Sequence, residues 1–357
     1  MMHAVIMAGG TGTRFWPLSR KITPKQLLNI LDGNTLIQDA VGRITPLIPP
    51  EKILIITNDL LAEKIRRQLP SIPAENVICE PVSRSTAPCV GLAAAYLKKQ
   101  HPDATMAVLT ADHYIDDEDI FLNAVRFAEK ISIEHNALVT FGIKPVRPNT
   151  GFGYIEMDEK IAGESPLCAW NIKRFIEKPD LETAAAFVAS PKHRVNSGMF
   201  VWGVRKILEE FRTHLPEVYE GLMEIEKSIG TPQESKTIVE IFPHFPNISV
   251  DKAIMEKSSS VLMVDAPFGW NDVGSWATLY DMSRKDENGN VSRGRIIAID
   301  ARGNLIHSPK KLVAALGVEN LIVVETDDAL LVCSRDRAQD VNRIVEILKG
   351  KNLEEFI

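Results

Sequence analysis

The residues with the clearest chemical potential lie near the start of the chain. A short apolar run ends in Ala8-Gly9-Gly10-Thr11-Gly12-Thr13-Arg14, followed by Phe15-Trp16-Pro17, Ser19-Arg20 and Pro24-Lys25-Gln26. Glycines straight after a buried strand let the backbone approach a ligand closely. Successive N–H groups in such a turn form a concave nest for an anion. Arg14 can fork onto phosphate oxygens, and Lys25 adds a compact point charge. Backbone donors plus two cations are what a triphosphate needs. Two other phosphate loops are excluded. A Walker loop requires GxxxxGK[ST], and here Gly12 is followed by Thr13-Arg14. A dinucleotide fingerprint requires a third glycine where Phe15 stands, and Asp32, near the spacing of a ribose acid, falls in an Asp-Gly turn. Pro17 argues against a long helix directly after the glycines.

Other segments add carboxylates and amides. Asp112 ends an apolar run in Leu109-Thr110-Ala111-Asp112-His113, and Asp272 lies in Phe268-Gly269-Trp270-Asn271-Asp272-Val273-Gly274-Ser275-Trp276. Mg²⁺ prefers oxygen ligands and is usually held by one or two carboxylates plus substrate phosphates. Each aspartate alone also fits a cap or a turn, whereas the pair fits a shared ion. His113 suits hydrogen bonding better than catalysis. Glu80-Pro81-Val82-Ser83-Arg84-Ser85-Thr86-Ala87-Pro88 leads from a strand into a helix start, whose free backbone groups can meet a base edge; an ordinary capped helix start fits as well. Gly151–Glu156, Phe175-Ile176-Glu177-Lys178-Pro179, Asn196-Ser197-Gly198-Met199-Phe200 and Ser249–Lys257 bring groups suited to hydroxyl recognition. Each alone carries little.

These residues need elements to position them. Apolar runs of strand length at 3–8, 53–56, 77–79, 106–109 and 138–142 alternate with helical patterns, among them Leu36 to Leu47 and a helix through Leu69. Ser85 can cap a helix through Lys99, with Pro88 in its first turn. The alternation predicts an α/β, Rossmann-like, mixed but mostly parallel sheet with helices on both faces. Ligands in such sheets bind beyond the carboxyl ends of the strands, where the glycine loop and Asp112 both fall. The polar stretch Asp286–Asn290 marks a boundary between a catalytic domain, 1–285, and a small domain, 286–357. Short β-like runs follow at 296–299, 305–307, 312–315, 321–324 and 330–333, then a helical pattern from Val341 to Leu348.

Composition excludes several classes. The chain has 357 residues, 41 Lys+Arg and 47 Asp+Glu, a net charge of −6. Such a balance is not built to track nucleic acid, so phosphate binding must be local. Cys79, Cys89, Cys168 and Cys333 form no CxxC pair and read as reduced, buried thiols. The N-terminus has no signal-peptide pattern, and no apolar stretch reaches the roughly 18 residues of a membrane span. No membrane role and a cytoplasmic location are expected.

Taken in order, the motifs resemble the sugar nucleotidyltransferases, also called nucleoside-diphosphate-sugar pyrophosphorylases. Phe15-Trp16-Pro17-Leu18-Ser19-Arg20 and Glu80-Pro81-x-x-Arg84-Ser85-Thr86-Ala87-Pro88 resemble their mannose-1-phosphate guanylyltransferase branch. The resemblance is dense over 1–285 and looser beyond, where it implies a left-handed β-helix-like tail. It implies transfer of GMP from GTP to α-D-mannose 1-phosphate, giving GDP-mannose and pyrophosphate, by in-line attack at the α-phosphorus with Mg²⁺. It assigns Arg14, Lys25 and Lys178 to catalysis. It assigns Ala8, Gly9, Gly10, Thr11, Gly12, Thr13, Glu80, Arg84, Ser85, Thr86, Ala87 and Asp112 to the nucleotide. Gly153, Tyr154, Glu177, Lys178, Asn196 and Asp251 go to the sugar phosphate, although Asp251 also fits a plain helix start. Asp112 and Asp272 go to the metal. On this reading Lys25→Ala costs on the order of 10²–10³ in rate with the fold intact. Alternatives are another sugar 1-phosphate or nucleotide, or a non-catalytic nucleotide-sugar-binding regulator. The tail could carry a homodimer contact or cover the catalytic domain. The long extra segment of bifunctional members is missing, so isomerase activity is not expected.

Overall fold

Runs that are apolar at consecutive positions build the centre of a sheet with both faces covered. The structure is a computed structural model that describes residues 1–10, 12–31, 33–164 and 166–357; the expectations for Thr11 and Asp32 lie outside the described residues. In chain order the strands are β1 (Met2–Met7), β2 (Ile53–Asn58), β3 (Val77–Glu80), β4 (Thr105–Thr110), a two-residue β5 (Tyr114–Ile115) outside this sheet, β6 (Leu138–Ile143), β7 (Gly153–Glu164), β8 (Leu167–Glu177), β9 (His193–Gly203) and β10 (Val261–Asp265). Their order is β3-β2-β1-β4-β9-β6-β10-β8-β7. β8 and β9 run against the rest. The sheet is therefore mixed and mostly parallel.

Helices α1 (Leu36–Ile44), α2 (Asp59–Gln68), α3 (Thr86–Gln100), α4 (Glu118–His135), α5 (Leu181–Ala189), α6 (Val204–His214), α7 (Pro216–Ser228) and α8 (Glu234–Ile241) accompany these strands. Successive side chains of a strand point to opposite faces. Val5, Leu54, Ile56, Met106 and Val108 join one apolar cluster with α3, α6 and α7, whereas Ala4, Ile6, Ile53 and Ile55 are fully buried outside it. α4 packs on β4, β6 and β9. Helix starts follow local chemistry: Asn58 and Asp117 accept from the Leu61 and Ile120 N–H groups at 3.2 and 3.0 Å.

The chain forms two compact units. One holds Met1–Gly9, Ala40–Ala111 and Ile115–Trp270; the other holds Gly10–Asp39, Asp112–Tyr114 and Asn271–Ile357. β1 and β4 are parallel neighbours, with Met7 opposite Thr110, and the Ala111 N–H donates to the Met7 carbonyl at 3.1 Å. The chain thus leaves both strands at the same end of the sheet, as Gly10 after one and Asp112 after the other.

After the two-residue β11 (Trp270–Asn271) and α9 (Trp276–Met282), the second unit holds β12 (Val291–Ile299), β13 (Leu305–Leu316), β14 (Leu321–Glu325), β15 (Leu330–Ser334) and α10 (Val341–Gly350). β12, β13 and β14 are parallel, and β15 is antiparallel to β14. The two runs expected at 305–307 and 312–315 are one strand. Gly294 (φ 115°) passes so close to the Ser308 carbonyl that a side chain could not fit, and residues 309–311 bulge out opposite it. Asparagines stack along the coil: the Asn304 Nδ2 donates to Asn290 Oδ1 at 3.0 Å and to the Val318 carbonyl at 3.1 Å, and its Oδ1 accepts from the Leu321 N–H at 2.9 Å. Asn304 is fully buried. Asn304→Ala is expected to destabilise this unit by about 3 kcal/mol, because backbone groups lose buried partners. A urea titration read by tryptophan fluorescence checks this, and an unchanged midpoint refutes it.

The four cysteines are free thiols, but only Cys89 is buried; Cys79, Cys168 and Cys333 are half-buried. Among the described residues no helix is long and apolar enough to cross a membrane.

Candidate functional site

The glycine turn is held by the residues that follow it. Gly12 adopts φ 59°, and a Cβ there would lie 2.4 Å from Lys25 Cβ, so only glycine fits. The Ser19 hydroxyl donates to the Gly12 carbonyl at 2.7 Å, and Gln26 Nε2 donates to the Gly10 carbonyl at 3.0 Å. Thr13–Phe15 then form a single 3₁₀ turn, which Pro17 prevents from growing. This turn presents Arg14 at the surface.

Lys25 is almost fully buried. Its Nζ pairs with Asp112 Oδ2 at 2.8 Å and donates to the Asp272 and Val273 carbonyls at 2.7 and 3.0 Å. Those carbonyls converge because Val273, a β-branched residue, takes φ 45°, with its N–H bound to Asn271 Oδ1 at 2.7 Å. A conformation this unfavourable for valine marks a turn over-determined by its surroundings. Burial pushes the Asp112 carboxyl up, but Lys25, His113 and the Lys25 hydrogen bond outweigh it and leave the group below its ordinary range. Asp272 is shifted upward: burial is the main cause, Asp112's charge adds to it, and Lys25 and Arg14 oppose it. Arg14, Lys25, Asp112, His113 and Asp272 line one cleft of about 310 Å³, all in the second unit. The Asp112 charge raises the cost of ionising Asp272, and two carboxylates lining one cleft are a donor set that Mg²⁺ takes when phosphates complete it. No larger metal-binding group of His, Cys, Asp and Glu occurs among the described residues.

In the first unit Ala8 is buried, its N–H donating to the Ile56 carbonyl at 2.8 Å. Glu80, at the end of β3, approaches Gly9. Burial pushes its carboxyl up to about 7 against a hydrogen bond from Cys89, and Oε1 has no partner. A carboxyl titrating near neutrality can accept or donate. Arg84 donates to the Pro243 carbonyl while its buried Nε has no partner. Ser85 stands at the start of α3 without capping it, contrary to expectation. Its backbone, at φ 63° and ψ −169°, directs the hydroxyl away, and the first-turn Ala87 N–H donates instead to the Ile248 carbonyl at 3.1 Å. Thr86 accepts from the Val250 N–H at 2.9 Å.

A second polar cluster gathers Glu177, Lys178, Asn196 and Asp251. Lys178 Nζ pairs with Glu177 Oε1 at 2.6 Å, and Asn196 Nδ2 donates to Asp251 Oδ1 at 2.8 Å. Gly153 makes room: a Cβ there would stand 2.6 Å from Glu177 Oε2. Tyr154 is placed differently. Its ring is fully buried against Phe187 and its hydroxyl is bound to the Asn149 backbone. Burial, with Glu177's charge, lifts Asp251 to about 6 from an ordinary value near 3.8. The folded chain therefore holds this proton more tightly than the unfolded chain, and stability falls as pH rises through that window. Asp251→Asn, which still accepts from Asn196, is expected to melt above the wild type at about pH 8 and level with it at about pH 4. A gap independent of pH counts against a raised Asp251.

Ser19, Gln26 and Val273 hold the cleft together, and sequence reasoning gave them no role. Ser19 and Gln26 stood inside the quoted motif, while Val273 had no signal beyond its neighbours.

Family models match in two parts: nucleotidyl transferase over residues 3–289, and a MannoseP isomerase/GMP-like beta-helix domain over 294–348. A curated mannose-1-phosphate guanylyltransferase from Klebsiella pneumoniae is 41% identical over 360 residues, spanning 100% of this chain and 76% of that one. A crystal structure of a mannose-1-phosphate geranyltransferase from Thermus thermophilus superposes with a TM-score of 0.86 at 32% identity, covering 98% of this chain and 99% of that one. A mannose-6-phosphate isomerase from Helicobacter pylori gives a TM-score of 0.60 at 26% identity, covering 76% and 100%. With the glycine turn, its cations and the paired aspartates in one cleft, this chain belongs to the mannose-1-phosphate guanylyltransferase family of nucleotidyl transferases.

Proposed function

We propose that the chain transfers GMP from GTP to α-D-mannose 1-phosphate, releasing pyrophosphate and forming GDP-mannose. The observation that carries this reading is the cleft in which Gly12, Arg14, Lys25, Asp112 and Asp272 meet. A phosphate oxygen of mannose 1-phosphate attacks the α-phosphorus in line; the bond to the bridging oxygen breaks, and pyrophosphate leaves with the electron pair. The nucleophile is already an anion, so no general base and no covalent enzyme intermediate are needed. The protein's task is to position two anions that repel and to meet charge as it shifts to the leaving group.

In this reading the backbone from Ala8 to Thr13 and the side chains of Arg14 and Lys25 hold the triphosphate. Glu80, Arg84, Ser85, Thr86 and Ala87 meet the guanine, with the unpartnered Glu80 and Arg84 atoms its strongest support. Lys178 takes the sugar phosphate. Glu177, Asn196, Asp251 and the backbone at Gly153 and Tyr154 take the hydroxyls. Asp112 and Asp272 would hold Mg²⁺, which when bound supplies neutralising charge to the phosphates. We further propose a catalytic domain over 1–285, a tail domain over 286–357 that either carries a homodimer contact or covers the catalytic domain, and a cytoplasmic location.

Pyrophosphate release is the test, with each nucleoside triphosphate, Mg²⁺ and a panel of sugar 1-phosphates. Fastest release with GTP and mannose 1-phosphate supports the reading. Equal or faster release with another pair overturns it.

A further inference from the structure

α10 begins beside the cleft that holds Arg14 and Lys25. Val341 and Val345 share an apolar cluster with Phe15 and Trp16, which fixes the first turn of α10 against the turn carrying Arg14. Asn342, the second residue of α10, lines the cleft with Thr13, Arg14, Lys25, Asp112 and Asp272. All belong to the second unit. The Asn342 side chain is half-buried, and among the described residues its amide makes no hydrogen bond. Helical spacing explains the orientation: with Val341 and Val345 facing the core, the next residue round the helix is turned aside from it.

An amide left without a protein partner in such a place offers direction. Arg14 and Lys25 attract a phosphate strongly, but Lys25 is committed to Asp112 and two carbonyls. A neutral N–H donor adds a fixed hydrogen bond without adding to the charge balance of the two aspartates. We propose that Asn342 is a further phosphate ligand, its Nδ2–H donating to a phosphate oxygen of the nucleoside triphosphate. The tail helix then takes part in binding directly. The proposal rests on the reading of this cleft as the triphosphate site.

The experiment uses the full chain and the variants Asn342→Ala, Asn342→Asp and Asn342→Gln. Binding of inorganic pyrophosphate and of GTP, each with Mg²⁺, is measured by calorimetry, beside KM for GTP and for mannose 1-phosphate. Asn342→Ala is expected to weaken pyrophosphate and GTP alike by about tenfold, the effect of one hydrogen bond to a charged group. Asn342→Asp, an acceptor bearing negative charge, weakens both further, and Asn342→Gln recovers part of the loss. KM for mannose 1-phosphate and the melting temperature stay near wild type. Pyrophosphate binding unchanged in Asn342→Ala overturns the proposal, as does a loss confined to GTP, which would assign the amide to ribose or base. A lowered melting temperature with both substrates weakened assigns a purely structural role and also overturns it. A wild type that binds pyrophosphate through Asn342 but turns over no sugar 1-phosphate keeps the ligand and removes the proposed reaction. A wild type that binds neither anion overturns both.

Discussion

Lys25→Met is expected to lower kcat/KM by about 10³-fold and to lower the melting temperature as well. The rate term comes from losing a preorganised cation at the phosphates, which on its own costs on the order of 10²–10³. The structure adds a second term, because Lys25 is also a tie. Its Nζ pairs with Asp112 at 2.8 Å and gathers the Asp272 and Val273 carbonyls. Without it, burial pushes both carboxylates upward, opposed by His113 at Asp112, by Arg14 at Asp272 and by a backbone hydrogen bond at each, and two carbonyls lose their donor. Breaking a fully buried pair costs about 3–5 kcal/mol. The Asp112 side chain is 35% exposed, so about 1–3 kcal/mol is appropriate here. The expectation of lost rate with an intact fold is therefore replaced by loss of both. Pyrophosphate release and thermal melts measure the two terms separately, and turnover near wild type would remove Lys25 from the chemistry.

Trp276→Ala is expected to destabilise the second unit by about 3–5 kcal/mol, the usual cost of emptying a buried tryptophan site. Trp276 is fully buried, its ring centroid is 5.0 Å from that of Phe15, and its Nε1 donates to the Trp16 carbonyl at 3.1 Å. Phe15 and Trp16 directly follow Arg14, so a cavity here loosens the turn that presents the guanidinium. KM for GTP should rise by about tenfold or more at temperatures where the variant is still folded. Urea unfolding followed by circular dichroism and fluorescence checks the first part, and steady-state kinetics the second. A stable variant with unchanged KM for GTP would mean that this packing does not position the loop.

The central sheet and the glycine turn were legible because each is written in consecutive residues. Ala4-Val5-Ile6 is apolar at every position, as two covered faces require, and Gly12 with Pro17 dictates a tight turn that cannot extend into a helix. Less could be read where partners are remote. Lys25 looked like a phosphate ligand, but its bonds to Asp112 and to residues 272 and 273 cross long stretches of sequence. Ser85 had the composition of a cap, but at its positive φ it makes no cap bond, and the Ala87 N–H donates to the Ile248 carbonyl instead. Glu80 and Asp251 owe their raised carboxyls to burial, which no local motif records. Asn342 lies in an ordinary amphipathic helix pattern and acquires meaning only from the cleft it lines.

The grouping of Gly10–Asp39 with Asn271–Ile357 in one compact unit bears on how the protein is made. On the ribosome the strands of the first unit can pair as they emerge, since domains generally fold as units from the N-terminal side. Residues 10–39 emerge among the earliest, yet Phe15, Trp16, Ile30 and Leu36 have most of their buried apolar partners beyond residue 271. The loop must therefore wait, unpacked, through most of translation. If the loop holds the nucleotide as proposed, competence to do so is acquired late, once α10 has left the exit tunnel, and a nascent chain stalled before that point would carry a formed sheet and an idle loop.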